Sequence, residues 1–228
     1  MTNTSPLDAV KNFMLYSRPQ WLKRFVAHTE LFVRTLEVPG DIAELGVFHG
    51  AGLFTWAKLL ECYCVGSRSK IVYGFENWTG FSEPVKQDGH PTSYVSKDKG
   101  GFAPSAGTRE RLERLVGIFD GDRYVPWKNR IELVDGNIED STWTFTQRNP
   151  GVKFSLVHFD CDMYAPTLHG LSALWPRVSR GGIVIFDEYS CHDWAGETNA
   201  VDEYFADKRE IVRCIPWANS PAGYIQKL

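Results

Sequence analysis

No run of roughly 18 apolar residues, the length a membrane-crossing helix needs, occurs anywhere in this 228-residue chain. The opening decapeptide MTNTSPLDAV lacks a basic start and an apolar stretch, so no secretory leader and no membrane partner are expected. Cysteine is sparse: five residues, at 62, 64, 161, 191 and 214, odd in number and irregular in spacing. Such a set does not make a disulfide framework. Cys62 and Cys64 are also too close for a C-x2-C zinc knuckle, and no His pair follows at finger spacing. Reduced thiols in a cytoplasmic protein are the expectation. Charge of one sign is lacking too. The net charge of −3 and pI near 6.1 argue against a general binder of nucleic acid or anionic membranes. Two phosphate-gripping signatures are missing, the G-x-G-x-x-G turn and a Gly-rich loop ending in Lys-Ser/Thr.

What remains is the composition of an ordinary soluble globular domain, 43% hydrophobic and 23% charged. The length suits a single domain over residues 1–228 with a full core. Short apolar runs alternate with helical stretches. An N-terminal helical cap over 1–38 contains QWLKRFVAHTELFVRTLEV, whose Trp21, Leu22, Phe25, Phe32, Val33 and Leu36 suit an amphipathic helix. Pro39-Gly40 ends it. DIAELG, KIVYGFE, RIELVDG, KFSLVHFD and GGIVIFDE read as strands one to five. Helices are expected from Gly50 to about Cys64, over TRERLERLVGIF, over Thr167–Leu174 and over ETNAVDEYFADK. EIVRCIP and AGYIQKL, joined through WANSP, read as a terminal hairpin. The alternation predicts an α/β fold with a mostly parallel sheet, helices on both faces and an antiparallel C-terminal hairpin. Residues 82–107 are rich in Gly, Pro, Ser and Lys and read as a mobile lid, with Lys86, Lys97 and Lys99 available to an anionic acceptor.

Ligands of such sheets bind at the carboxyl ends of the strands. The fourth strand there runs into FDCDMY, with Asp160 and Asp162, and the fifth into Asp187 and Glu188. If the fourth strand persists, its period of two puts Asp160 and Asp162 on one side. Several carboxylates so close cannot all ionise unless a cation joins them. An octahedral magnesium ion with a few protein carboxylates and several waters would do so. A sheet cap, with Asp160 and Asp187 paired to Arg177 or Arg180, is the structural alternative. At the first strand, AELGVFHGAG spaces its glycines as Gly46, Gly50 and Gly52, and Glu44 ahead of them would repel phosphate but suit a cationic amine. S-adenosylmethionine is such a ligand. Glu76 ends the second strand, where an acid commonly takes both ribose hydroxyls. Gly136, Asn137 and Ile138 follow the third and can meet an adenine.

VPGDIAELGVFHGAG, YGFENWTGF, FDCDMYAPTLHGLSALWPRVSRGGIVIFDEY and TNAVDEYF together resemble the macrocin O-methyltransferase family, in order, from about Gln20 to Phe205. The resemblance implies a class I methyltransferase, Rossmann-like fold and transfer of a methyl group to a sugar hydroxyl of a glycoside or nucleotide sugar. S-adenosylmethionine and Mg2+ are its cofactors, with a homo-oligomer formed through the N-terminal helix. It further implies Glu44, Gly46 and Gly50 at the methionine moiety, Glu76 at the ribose, and Asp160, Asp187 and Glu188 at the metal. GFENW stands where the family usually has GFDSF, and Asp187-Glu188 where it has Asp-Asp, which leaves Glu188 or Asp162 as third metal ligand. Asp160, at the junction of cofactor and metal, is the first choice of general base, with His192 its competitor; His158 reads as a packed core residue. Trp21, Trp56 and Trp175 read as core, Trp78 and Trp194 as walls of the acceptor pocket. Two other functions stay open: a catechol-type O-methyltransferase, which uses the same vicinal-diol chemistry, and a non-catalytic S-adenosylmethionine or nucleotide-sugar module with structural calcium.

Overall fold

β-branched and aromatic runs bounded by glycine, lysine or proline form the strands, and the segments between them supply the helices. A computed structural model describes residues 5–90 and 96–228. Two short helices, α1 (Pro6–Lys11) and α2 (Phe13–Tyr16), precede α3 (Pro19–Val33). There follow β1 (Asp41–Leu45), α4 (Ala51–Tyr63), β2 (Val72–Glu76), α5 (Thr108–Gly121), β3 (Ile131–Asp135) and α6 (Ile138–Arg148). The second half adds β4 (Phe154–Phe159), α7 (Tyr164–Leu174), β5 (Val178–Phe186), α8 (Ala195–Phe205) and β6 (Gly223–Gln226). The sheet order is β3-β2-β1-β4-β5-β6, parallel throughout except for β6, which runs antiparallel to β5. The expected doubly wound α/β architecture is therefore present.

Successive residues of a strand face opposite sides, and both sides are apolar here. Phe75, Val157, Phe159, Leu171 and Phe186 pack on one face. Ile42, Trp56, Leu60, Leu156 and Ile185 pack on the other, beneath α3 and α4. Strand order reverses between β1 and β4, so the crevice between their carboxyl ends is the natural ligand position.

Three sequence readings change. Helix α6 is not among the expected helices; it buries Ser141, Thr142 and Thr146 beside Ile138 and Phe145. The Thr142 and Thr146 hydroxyls are satisfied by the helix itself, donating to the carbonyls of Ile138 and Trp143. The terminal hairpin reduces to a single bridge, Arg213 with Tyr224; β6 instead finds its partner in β5. Helix α3 buries Ala27, His28, Leu31 and Phe32, while Trp21 and Phe25 are 64% and 48% exposed, so Trp21 is not core. The stretch 82–107, of which 91–95 fall outside the described residues, contains an anchor. Asp88 is buried, and its Oδ1 and Oδ2 accept from the backbone N–H groups of Tyr164 and Val85.

Candidate active site

At the end of β1 the chain turns at Gly46 with φ +91°, and a Cβ there would lie 1.9 Å from the Asp160 carbonyl oxygen. Only glycine allows β1 and β4 to end this close. The Asp160 N–H donates to the Leu45 carbonyl across the same gap. Beside this contact opens a cavity of about 340 Å³, lined by Gly46, Phe48, Glu76 and Ile138 on one side and by Asp160, Asp162 and Glu188 on the other. That volume suits a small organic ligand.

Glu76, nearly buried at the end of β2, organises the first side. Its Oε2 accepts from the Phe48 N–H at 2.8 Å, and its Oε1 from the N–H groups of Asn77 and Trp78 at 2.9 and 3.1 Å. A carboxylate has about four acceptor sites, so with three N–H groups bound about one site, on Oε2, remains for a ligand hydroxyl. Asn137 Oδ1 accepts from Asn77 Nδ2, joining the turns after β2 and β3. Gly136 and Asn137 themselves do not line the cavity, nor does Gly50, which is buried at the start of α4. Glu44 lies beneath the turn: it is 1% exposed, and a Cβ on Gly52 would come within 2.6 Å of its Oε1. The donor arrangement around Glu76, with glycine-permitted close approach at Gly46, fits an adenosyl group.

The second side concentrates negative charge. One carboxylate oxygen from each of Asp160, Asp187 and Glu188 lies within 4.8 Å of the others. Asp187 also accepts from the Ser220 hydroxyl at 2.8 Å and lies 3.5 Å from His158 Nε2. Glu197, wholly buried on α8, accepts the Glu188 N–H through Oε1 at 2.8 Å. Glu188 Oε2 and Glu197 Oε2 are buried without a hydrogen-bond partner among the described residues. Orphaned carboxylate oxygens beside two further aspartates are what an oxygen-ligated divalent ion would relieve, and an all-carboxylate donor set suits magnesium. A second group of donors, His28, His158 and Asp187, lies deeper in the core.

The electrostatics follow from this crowding. Burial and the neighbouring Asp187 charge push Asp160 up to about 6. Burial and Asp160 push Asp162 up to about 8. Burial, with Asp187 next, lifts Glu188 well above the carboxylate range. Asp187 goes the other way: burial would raise it, but His158 and the Arg24 charge outweigh burial and hold it low. Arg24, reaching in from α3, is a cation that compensates the cluster, its Nη2 2.5 Å from Asp160 Oδ2 and 3.3 Å from Asp187 Oδ2.

The structure thus gathers Gly46, Glu76, Ile138, Asp160, Asp187 and Glu188 around one place. It does not bring His192 there: that side chain is 97% exposed, with Asp193 beside it. Strand β4 stops at Phe159 and Asp162 has φ +62°, so Asp160 and Asp162 do not share a strand face. A left-handed turn, which Asp tolerates, delivers Asp162 to the cavity instead. The arginine of the sheet-cap alternative is not the partner of these aspartates; Arg177 donates to the Pro150 carbonyl, and Arg24 pairs with Asp160 and Asp187. Trp194 lines the cavity, but Trp78 donates its indole N–H to Asp135 and packs against the core. Lys97 is buried, its Nζ donating to the Asp88 carbonyl, and Lys86, Lys97 and Lys99 are not lining residues. Sequence reasoning missed Arg24, Glu197 and the rings of Phe81 and Phe102, which join the expected Trp194 in an aromatic wall with ring centroids 5.4 to 5.8 Å apart. Only Glu197, an acid inside the quoted helical stretch, left a trace in the sequence.

A parallel sheet with this strand order, its site at the reversal point, defines a class I methyltransferase fold. The calicheamicin methyltransferase CalS11 shares it, with a TM-score of 0.91 and 26% identity over 99% of this chain and 86% of that one. The family model for macrocin O-methyltransferase matches residues 20–227, and the chain belongs to that family. Among curated relatives, mycinamicin III 3''-O-methyltransferase of Micromonospora griseorubida is 26% identical over 157 residues, 67% of this chain and 56% of that enzyme. The chain therefore spans a little over half of that relative's length. The 8-demethyl-8-(2,3-dimethoxy-alpha-L-rhamnosyl)-tetracenomycin-C 4'-O-methyltransferase of Streptomyces olivaceus is 26% identical over 78% of this chain and 71% of its own.

Proposed function

We propose that this protein transfers a methyl group from S-adenosylmethionine to a hydroxyl of a sugar unit, using a divalent cation held by Asp160, Asp187 and Glu188. The observation that carries the reading is the meeting of one oxygen each of Asp160, Asp187 and Glu188 within 4.8 Å of one another, where Asp160 and Glu188 line the same cavity as Glu76. The curated relatives, each named as an O-methyltransferase of a natural product, support a glycoside or nucleotide-sugar acceptor.

Glu76 accepts a ribose hydroxyl, and Ile138 covers the adenine. Gly46 leaves room for the methionine moiety at the β1–β4 crevice. S-adenosylmethionine supplies an electrophilic methyl group on a sulfonium. A magnesium ion supplies the charge that lowers the pKa of a neighbouring hydroxyl and orients it. The base is a separate matter. Asp160, engaged by cations, is a poor proton acceptor, and His192 faces solvent. Asp162 lines the cavity two residues on from Asp160 and is not one of the three carboxylates that converge, so its oxygens are left to accept a proton. We therefore assign the hydroxyl proton to the Asp162 carboxylate, in place of Asp160. Phe81, Phe102 and Trp194 close the wall against water and offer ring faces to the sugar. The cytoplasmic setting, the homo-oligomer and the lid over 82–107 belong to the same proposal.

Purified protein incubated with S-adenosylmethionine, Mg2+ and a panel of glycosides and nucleotide sugars should release S-adenosylhomocysteine with at least one acceptor, and chelator should stop it. Turnover indifferent to chelator refutes the metal role; no turnover with any sugar, but turnover with catechols, transfers the site to aromatic diols.

A further inference from the structure

Arg24 is an unusual partner for a buried carboxylate cluster. Its Nη2 donates to Asp160 Oδ2 at 2.5 Å and reaches Asp187 Oδ2 at 3.3 Å. Those carboxylates are two of the three whose oxygens converge within 4.8 Å. A guanidinium and a divalent ion would therefore draw on the same pair of acids, and each positive charge raises the cost of seating the other.

The surroundings of Arg24 allow it to leave. Its side chain is 39% exposed and borders the cavity. It projects from the first half of α3, where Trp21, Phe25 and Val26 are 64%, 48% and 49% exposed; the buried side chains of this helix begin at Ala27. Arg130, by contrast, is 1% exposed and donates to Glu61 and to the Lys70 and Ser67 carbonyls, so it has nowhere to go.

We infer that Arg24 is an exchangeable counter-cation: it neutralises the carboxylate cluster in the metal-free protein, and an entering divalent ion displaces it from Asp160. The inference rests on the metal-binding reading above. The step is an exchange of one cation for another on existing carboxylates, with no covalent change. It ties the start of α3 to the state of the site, because Arg24 is the ion pair that links that segment to the ends of β4 and β5.

Calorimetric titration of Mn2+ into chelator-stripped wild type, Arg24→Met and Arg24→Lys tests this. With its competitor gone, Arg24→Met should bind Mn2+ on the order of ten- to a hundredfold more tightly, the equilibrium worth of one charged hydrogen bond. Arg24→Lys should fall between it and wild type. Wild type that binds Mn2+ while Arg24→Met binds equally or more weakly overturns the exchange and leaves the metal site standing. No Mn2+ binding in any of the three overturns the metal reading together with the exchange. Should Arg24→Met fail to fold, hydrogen exchange on wild type decides: amides of 19–26 should exchange faster with Mn2+ than without, and equal or slower exchange overturns the inference.

Discussion

Two groups of buried charge lie at opposite edges of the sheet and are built on opposite rules. At the amino-terminal edge, Arg123 and Arg130 both donate to Glu61 Oε1 at 2.8 Å. Arg123 also donates to Asp120 and the Lys128 carbonyl, and Arg130 uses its remaining nitrogens on two carbonyls. Cations and anions balance, two against two, and nearly every polar atom is matched. At the carboxyl-terminal edge, Asp160, Asp162, Asp187, Glu188 and Glu197 face Arg24 and the buried His158, and two of their carboxylate oxygens have no partner among the described residues. A matched cluster fixes structure. An unmatched one keeps a deficit that a ligand can fill, and the fold tolerates the cost only where something is gained by it.

The largest effect should come from removing the deficit itself. Asp160→Asn should lower methyl transfer by at least ~10³-fold, through lost metal binding as well as misplaced substrate, while S-adenosylmethionine affinity changes little. Asp162→Asn should lower kcat by ~10²–10⁴-fold, the usual worth of a general base, but leave Mn2+ binding intact. Steady-state kinetics and calorimetry on the two variants separate the roles; equal loss of metal in both would merge them.

The matched cluster should respond in stability instead. Arg130→Ala leaves part of the Glu61 charge uncompensated and should cost ~3–5 kcal/mol in urea unfolding, with turnover per folded molecule unchanged. A smaller effect is expected at Glu76. Glu76→Ala removes a charged acceptor worth about 1.5–3 kcal/mol, so S-adenosylmethionine should bind ten- to a hundredfold more weakly. Unchanged affinity in a folded variant would take Glu76 out of the site.

The sequence announced the unmatched edge more clearly than the matched one. Acids at the ends of apolar strands are conspicuous: the strand pattern brought Asp160 and Asp187 together, while Glu188 in place of Asp162 followed from the family resemblance. The strands, and the helices with apolar periodicity, were equally legible. Helix α6 was not among the expected helices; its buried side includes hydroxyl side chains bonded to their own helix. Arg24 was invisible for another reason. It lies 136 residues from Asp160, on a helix whose exposed aromatics mimic a buried face, and no local pattern records so distant a pairing. His192 shows the converse: adjacency in sequence to the fifth strand did not bring it inward.

The subtlest difference between the two edges is in pH. Asp160 and Asp162 have folded pKa values of about 6 and 8. Both lie above the ~3.9 of an unfolded aspartate, so the folded metal-free protein holds the extra protons. The stability they give is present at low pH and is lost as pH rises through 6 to 8. His158, raised to about 10 by Asp187 and Glu44 against its burial, acts in the same direction: its contribution is present below ~6.5 and is lost toward 10. Asp187, held low, already contributes fully above ~4. The melting temperature of chelator-treated protein should therefore fall from pH 5 to pH 8, and Asp162→Asn should flatten the fall. A melting temperature that rises over that window would place the charge balance elsewhere.

The claim at the centre is that the unmatched carboxylates are a cation site. Electron paramagnetic resonance of free Mn2+ during titration of chelator-stripped protein counts bound ions directly, without an acceptor substrate. The account predicts one ion bound per chain in wild type, competed off by Mg2+, and none in a double variant Asp160→Asn, Asp187→Asn that retains its fold. Wild type that leaves all Mn2+ free, or a double variant that still binds it, would contradict the account and return these acids to a sheet cap neutralised by Arg24.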